Sequence, residues 1–378
     1  MVDARKRATG VRSNEFYSRY SNPTVRSFED AMAELEGAES SLAFASGMGA
    51  ISSVILALCS RGDHIVAQRN LYSATLAFLQ GPCARFGIDV TFVDGTEPGA
   101  FAAAVQPGRT VMVLAETPSN PKLALVDLDE IGGLRGPFTV VDSTFATPLG
   151  QQPLAHGVHL SLHSATKGIA GHNDATLGVV SGEKDLLDAI WGYSVLHGAT
   201  PSPHDALNAL RGIRTMAVRT NHQSASAQFL SESLQQHPGV SAVHYPGLQS
   251  HPQHDLAKRQ MRHYGTVFAI ELAGGLAAVE QLLSRVQLLH VATSLGGPTS
   301  HTAIIARQLG IPCVVAVKGL DAVDTATMVL LDGNRGTITI DPDRADAAAA
   351  VALPAFLAGA GVRLDVQGRG NLWARRPA

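Results

Sequence analysis

The sequence predicts an α/β protein: a mostly parallel sheet with helices on both faces, followed by a smaller α+β domain. Three observations predict it. Short apolar runs of strand length alternate with longer helical stretches, the pattern of strand–helix–strand units. Val111-Met112-Val113-Leu114-Ala115 reads as a clean buried strand. Several such runs deliver polar words at their ends, notably Asp142-Ser143-Thr144 and Ser164-Ala165-Thr166-Lys167. In open α/β sheets, side chains at strand ends converge on one crevice.

At 378 residues the chain suits two domains. It is 45% hydrophobic and 16% charged, enough apolar content to bury a large core. A net charge of −3 gives no argument for nucleic acid or an anionic membrane as partner. Cys59, Cys83 and Cys313 have no CxxC or metal spacing and read as reduced, buried thiols. Met1 to Gly10 carries basic residues without an apolar run, so no signal peptide is expected. No apolar run reaches the roughly 18 residues of a membrane span, and the expected location is the cytoplasm.

In chain order, residues 1–22 are polar and aromatic without period and read as an arm. Residues 23–200 read as the large domain, 201–297 as the small one, and 298–378 as an atypical tail. Thr24 to Leu35 has helical spacing and runs into Gly37, a C-cap candidate. Ser41 to Ala45 is a short apolar strand. Ser46-Gly47-Met48-Gly49-Ala50 then opens a helix to Cys59. A glycine-containing turn at a helix N-terminus points amide N–H groups at an anion, and the helix dipole favours negative charge there. Further strands are predicted at Asp63–Ala67, within Arg85–Val93, and at Val111–Ala115, Thr139–Val141, Leu160–His163 and Leu177–Ser181. Pro203 to Arg219 reads as a linking segment, and a helix from about Val218 to Gln236 begins the small domain. The histidines near Tyr245 to Leu256 are broken up by Pro and Gly, so no metal site is expected. Phe268 to Leu272 alternates as a half-buried strand.

Asp142 and Ser164-x-Thr166-Lys167 together suit pyridoxal phosphate chemistry. A lysine amine forms the Schiff base, an aspartate pairs the protonated pyridine nitrogen, and small hydroxyls hold the phosphate. A carboxylate beside the ring N–H keeps that proton on and makes the ring a better electron sink.

The words Asp142-Ser143-Thr144-Phe145-Ala146-Thr147-Pro148 and Ser164-Ala165-Thr166-Lys167-Gly168-Ile169-Ala170-Gly171-His172 resemble the Cys/Met-metabolism family of pyridoxal phosphate enzymes. That family includes cystathionine γ-synthase, cystathionine γ-lyase and methionine γ-lyase. The resemblance runs from about Glu15 to about Gly297. It implies a fold-type-I transferase with pyridoxal 5'-phosphate on Lys167, which also moves protons on the substrate. Ser46, Gly47, Met48, Ser164 and Thr166 would hold the phosphate, and Asp142 the ring nitrogen. Asn70-Leu71-Tyr72-Ser73-Ala74-Thr75 resembles the family word whose tyrosine lies over the ring, which makes Tyr72 a cofactor and catalytic residue. Glu116-Thr117-Pro118-Ser119-Asn120-Pro121 resembles the word whose asparagine bonds the cofactor's 3-oxygen, here Asn120. Phe16-Tyr17-Ser18-Arg19-Tyr20-Ser21-Asn22-Pro23-Thr24 resembles the word that reaches a neighbouring subunit's phosphate through Tyr17 and Arg19. A homodimer or homotetramer with shared sites follows. Asn120 and Ser294 would meet the substrate, a sulfur amino acid or activated homoserine. Elimination at Cγ and replacement by a thiol both remain open.

After Gly297 the words change. Gly296-Gly297-Pro298-Thr299-Ser300-His301-Thr302-Ala303-Ile304-Ile305-Ala306-Arg307 resembles the phosphohistidine swivelling domain of phosphoenolpyruvate-utilising enzymes. Leu331-Asp332-Gly333 and Gly336-Thr337-Ile338-Thr339-Ile340 resemble the closing strands of that domain. The resemblance implies a phosphorylated His301, and with it an alternative role as a phosphohistidine carrier or regulatory module on an inactive scaffold. The first family's closing word, whose arginine clamps the substrate α-carboxylate as a bidentate fork, has no counterpart here. Arg335 and Arg344 qualify by residue type alone.

Overall fold

The computed structural model describes residues 17–285 and, farther along, the backbone of four strands. The chain divides between Leu288 and Leu289 into two compact units. The first is built on a seven-stranded sheet of order β1-β7-β6-β5-β4-β2-β3. The strands are β1 Ser40–Phe44, β2 His64–Gln68, β3 Asp89–Val93, β4 Thr110–Glu116, β5 Phe138–Asp142, β6 Leu160–His163 and β7 Gly178–Gly182. Neighbours are parallel from β6 through β5, β4 and β2 to β3. Strand β7 runs antiparallel to both β6 and β1. It returns beside β6 because the stretch between them is a local loop and not a crossover helix.

Side-chain alternation splits the strands between two packed layers. Ile65, Ala67, Met112, Leu114 and Val140 pack with Ile51, Val54 and Ile55 of the helix Gly47–Leu58 and with Leu187 and Ile190 of the helix Lys184–His197. The intervening Val66, Val113, Ala115 and Val141 pack with Phe101, Leu128 and Ile131. Val179 packs with Phe28 and Met32 of the helix Pro23–Glu36. Each such side chain, fully buried, stabilises by about 1.5–3 kcal/mol relative to exposure. Asn22 caps the helix Pro23–Glu36 by accepting from the Thr24 N–H, and Gly37, the predicted C-cap, closes it in the left-handed region.

One segment differs from the sequence reading. Pro203 to Arg219 is not a linker: a single helix of 33 residues spans Pro203–Gln235. Proline is tolerated at its first turn, where the N–H has no intrahelical partner, and the Ser202 side chain accepts from His204 and Asp205. Gly212 inside it looks like a breaker, but it serves close approach. A Cβ there would lie 2.2 Å from the Ala170 carbonyl oxygen. Ala206, Ala209 and Met216 pack under the large sheet. Ala227, farther along, packs with Tyr245 and Leu248, beside the antiparallel ribbon of β8 Val240–His244 and β9 Ala269–Leu272. The expected boundary near residue 200 therefore falls at the start of an element shared by both halves.

In the second unit, β10 Val329–Asp332 pairs antiparallel with β11 Thr337–Ile340, and β12 Arg363–Gln367 with β13 Asn371–Arg375. Among the described residues, no helix is long and apolar enough to cross a membrane. Cys59 and Cys83 are free and buried, and burial pushes their thiols up to about 12 and about 11.

Candidate active site

The C-terminal ends of the parallel strands put the predicted residues on one edge of the sheet. The turn after β1 gives Ser46, the loop after β2 gives Tyr72, β4 ends in Glu116 and leads to Asn120, β5 ends in Asp142, and β6 leads to Ser164–Lys167. The chain steps from β2 outward to β3, then returns to β4 on the other side of β2 and continues to β5 and β6. Such a reversal opens a crevice beyond the strand ends.

The anion cradle is the start of the helix Gly47–Leu58. Ser46 is its N-cap, and its Oγ accepts from the Gly49 N–H at 3.0 Å. Gly47 stands against Ser164: a Cβ on it would lie 2.8 Å from the Ser164 Cβ. Only glycine lets the helix N-terminus and the serine face the same small volume. Thr75, buried behind Tyr72, donates its hydroxyl to Met48 Sδ at 3.7 Å and ties the Tyr72 segment to this helix.

Asp142 is fixed by a residue that the sequence reading did not single out. Thr144 donates to Asp142 Oδ1 through its hydroxyl at 2.5 Å and its N–H at 3.0 Å. The same hydroxyl accepts from the Ser164 N–H at 2.8 Å, so one threonine links the carboxylate to the lysine loop. Burial raises the Asp142 carboxyl above its ordinary range; the two bonds from Thr144 and the nearby His163 pull it back in part. Among the described residues no cation forms an ion pair with it. A buried carboxylate without a cation is unfavourable and suits a cationic ring nitrogen.

Lys167 is exposed on this edge. Its N–H donates to the Ser164 carbonyl at 3.1 Å and its carbonyl accepts from Gly171 at 2.8 Å. The Thr166 hydroxyl is engaged with Leu177, donating to its carbonyl at 3.1 Å and accepting from its N–H at 2.9 Å. Arg219, also missed, donates to the carbonyls of Gly168 at 3.0 Å and Ile169 at 3.2 Å and so holds the loop just past the lysine. Behind the loop, His163 Nε2 meets Glu36 Oε1 at 2.5 Å in a fully buried pair.

Tyr72 and Asn120 share a partner. Their N–H groups donate to Glu116 Oε2 at 2.6 Å and Oε1 at 2.9 Å. Burial first and Asp142 second push the Glu116 carboxyl up to about 8, against the pull of those two bonds. Burial also raises the Tyr72 hydroxyl, with Glu116 adding to it.

In the single chain the arm residues pack on one another. The Arg19 guanidinium stands 5.2 Å from the Tyr17 ring centroid and 5.0 Å from that of Tyr20, and donates to the Val195 carbonyl. Tyr17 is 51% exposed. Ser294, His301, Arg335, Arg344 and Cys313 lie outside the described residues.

The edge offers what pyridoxal phosphate needs: an amide cradle with a serine for the phosphate, a buried carboxyl without an ion-pair partner among the described residues for the ring nitrogen, a tyrosine and an exposed lysine. The comparisons agree. The family described as Cys/Met metabolism PLP-dependent enzyme matches residues 2–308. The chain is 43% identical over 297 residues to L-methionine gamma-lyase of Pseudomonas deceptionensis, covering 77% of this chain and 74% of that one. It is 40% identical over 298 residues to O-succinylhomoserine sulfhydrylase of Pseudomonas aeruginosa, covering 78% and 74%. A solved structure, cystathionine gamma synthase from Xanthomonas oryzae pv. oryzae in complex with aminoacrylate and cysteine, matches with a TM-score of 0.72 at 35% identity, over 78% of this chain and 80% of that one. The chain belongs to the Cys/Met metabolism family of enzymes that depend on pyridoxal 5'-phosphate.

Proposed function

We propose that the chain cleaves or exchanges the group on Cγ of a sulfur amino acid or an O-acylated homoserine, with Lys167 as the proton carrier. The observation that carries the reading is the exposed Lys167 on the same strand edge as the buried Asp142, which has no ion-pair partner among the described residues. When bound, pyridoxal phosphate supplies an electron sink for charge developing on the substrate carbons. Asp142, oriented by Thr144, keeps the proton on the ring nitrogen. The amides of Gly47 and Met48, with Ser46 and Ser164, hold the phosphate at a helix N-terminus. Tyr72 covers the ring face, where area and quadrupole both favour a cationic heterocycle. Asn120 fixes the ring edge. The Lys167 amine then takes a proton from one substrate carbon and returns it to another.

The relatives divide between lyase and sulfhydrylase by name, and both outcomes suit this set of residues. Tyr17 and Arg19 would complete the site of a second copy, so the working unit is at least a dimer of C₂ symmetry; a monomeric sedimentation coefficient would refute that. Free, buried Cys59 and Cys83 suit a reducing cytoplasm. Fractionation of the cells that make the protein checks that location.

The test combines colour and products. Purified protein with pyridoxal phosphate should carry the visible band of the lysine-bound cofactor, and Lys167→Ala should lose it with at least about a 10³-fold fall in turnover. A 2-keto acid and a thiol from methionine or cystathionine mark elimination. A thioether from O-succinylhomoserine and a thiol marks replacement. A colourless protein in excess cofactor would end the proposal.

A further inference from the structure

We propose that Glu116 is a positioning residue for the cofactor ring: its single carboxylate joins the Tyr72 loop to the Asn120 loop and so sets the gap between them. Tyr72 follows β2 and Asn120 follows β4, so the two loops leave neighbouring strands independently. Glu116 is the last residue of β4 and only 6% exposed. Its own N–H donates to Gln68 Oε1, at the end of β2, at 3.0 Å. That bond holds the base of the side chain across the same strand pair that the carboxylate bridges at its tip. In register it faces Asp142 on β5.

The residue type is what the span requires. The carboxyl has two oxygens, and here each receives one backbone N–H. Glutamine would turn a donor toward one of those N–H groups. Aspartate keeps the carboxyl but is one methylene short. Alanine would leave two amides without their acceptor. Burial and a neighbouring aspartate both favour the protonated form of Glu116, and a buried polar group of this kind is tolerated only when its hydrogen bonds are made. Volume alone would be filled at lower cost by an apolar side chain. The bridged pair are the residues assigned to the ring face and the ring edge. A shift of either loop therefore changes how the ring sits over Lys167.

The inference rests on the assignment of Tyr72 and Asn120 to the cofactor, and the experiment separates the two. In the wild-type protein without cofactor, hydrogen exchange should show the Tyr72 and Asn120 amides protected beyond the rest of their loops. Free exchange at both would overturn the bridge without any variant. Glu116→Gln and Glu116→Asp are then titrated with pyridoxal phosphate. Both should bind about tenfold more weakly, the scale of one buried hydrogen bond. Both should also alter the induced circular dichroism of the bound cofactor's visible band, with the cofactor-free unfolding temperature of Glu116→Gln close to wild type. Wild-type affinity and dichroism in both variants overturn the proposal. So does full recovery in Glu116→Asp, since that would make the carboxyl and not its span the determinant. If Glu116→Gln does not fold, the aspartate variant and the wild-type exchange decide the matter. Impaired Tyr72→Ala and Asn120→Ala alongside normal Glu116 variants would refute Glu116 alone. Unaltered cofactor binding in Tyr72→Ala and Asn120→Ala would remove the site assignment and this inference with it.

Discussion

Glu116 and Asp142 sit at adjacent strand ends with no ion-pair partner among the described residues, whereas Glu271, on the ribbon strand β9, meets Lys122 at 2.7 Å and His244 at 2.8 Å in open solvent. The contrast runs through their acidities. Burial raises both sheet carboxyls above their usual range, while the surface partners lower Glu271 below its own. By geometry alone Glu271 is the better-satisfied acid. Yet exposed pairs are screened and contribute little, and buried carboxylates carry the larger energies of either sign. The strand edge is thus held against its own preference by the surrounding fold, as sites prepared for a ligand are. The ribbon is merely solvated.

Asp142→Asn is the strongest way to sharpen this comparison. Cofactor affinity should fall about 10²- to 10³-fold, the scale of breaking a buried charge pair, while the cofactor-free protein should melt at a higher temperature. Equilibrium dialysis and calorimetry measure the two effects. An affinity that survives, or a lower melting temperature, would remove the distinction between the regions.

The pH dependence of the cofactor-free protein should be smaller but visible. Glu116 holds its proton more firmly folded than unfolded, since its folded value is raised to about 8. Its contribution is complete below the ordinary carboxylate range and is lost as pH rises through about 8. The unfolding temperature should therefore fall between about pH 4.5 and about pH 8, and Glu116→Gln should flatten the slope. Cys59 and Cys83, raised to about 12 and about 11, add the same sign only at still higher pH. A flat profile would show that Glu116 is not held above its unfolded value.

Glu271→Gln is the smallest effect expected: no resolvable change in unfolding temperature at moderate salt. A clear drop would mean that the ribbon's surface pairs carry more than screening allows.

Much of the strand edge was legible because its residues are set by local rules. Apolar runs end where side chains must turn polar, and glycine turns open helices at an anion. The words around Tyr72, Asn120, Asp142 and Lys167 each carry their meaning within a few residues. What was not legible is what depends on distant segments meeting. Glu116 stood in a word whose asparagine drew the attention, and its role exists only because β2 lies beside β4. Thr144 is one of several small hydroxyls in its loop, and nothing local says which carboxylate and which amide it will join. Arg219 lay in a stretch read as linker. Pro203 and Gly212 are punctuation by composition, but the first is harmless at a helix start and the second is required by the Ala170 carbonyl. That contact cannot be inferred from either segment alone.

The helix Pro203–Gln235 has a mechanical consequence. At 33 residues it is a rod of about 50 Å. Gly212, in its first third, and Arg219, at its middle, hold the loop that carries the lysine. Toward its far end, Ala227 bears on Tyr245 and the layer around it. There is no joint between these two grips, so a load applied at the far end is not absorbed on the way. Tilting the rod about its Gly212 seat moves the tip through a wide arc and the lysine loop through a narrow one, as a long-handled lever turns a coarse gesture into a fine adjustment.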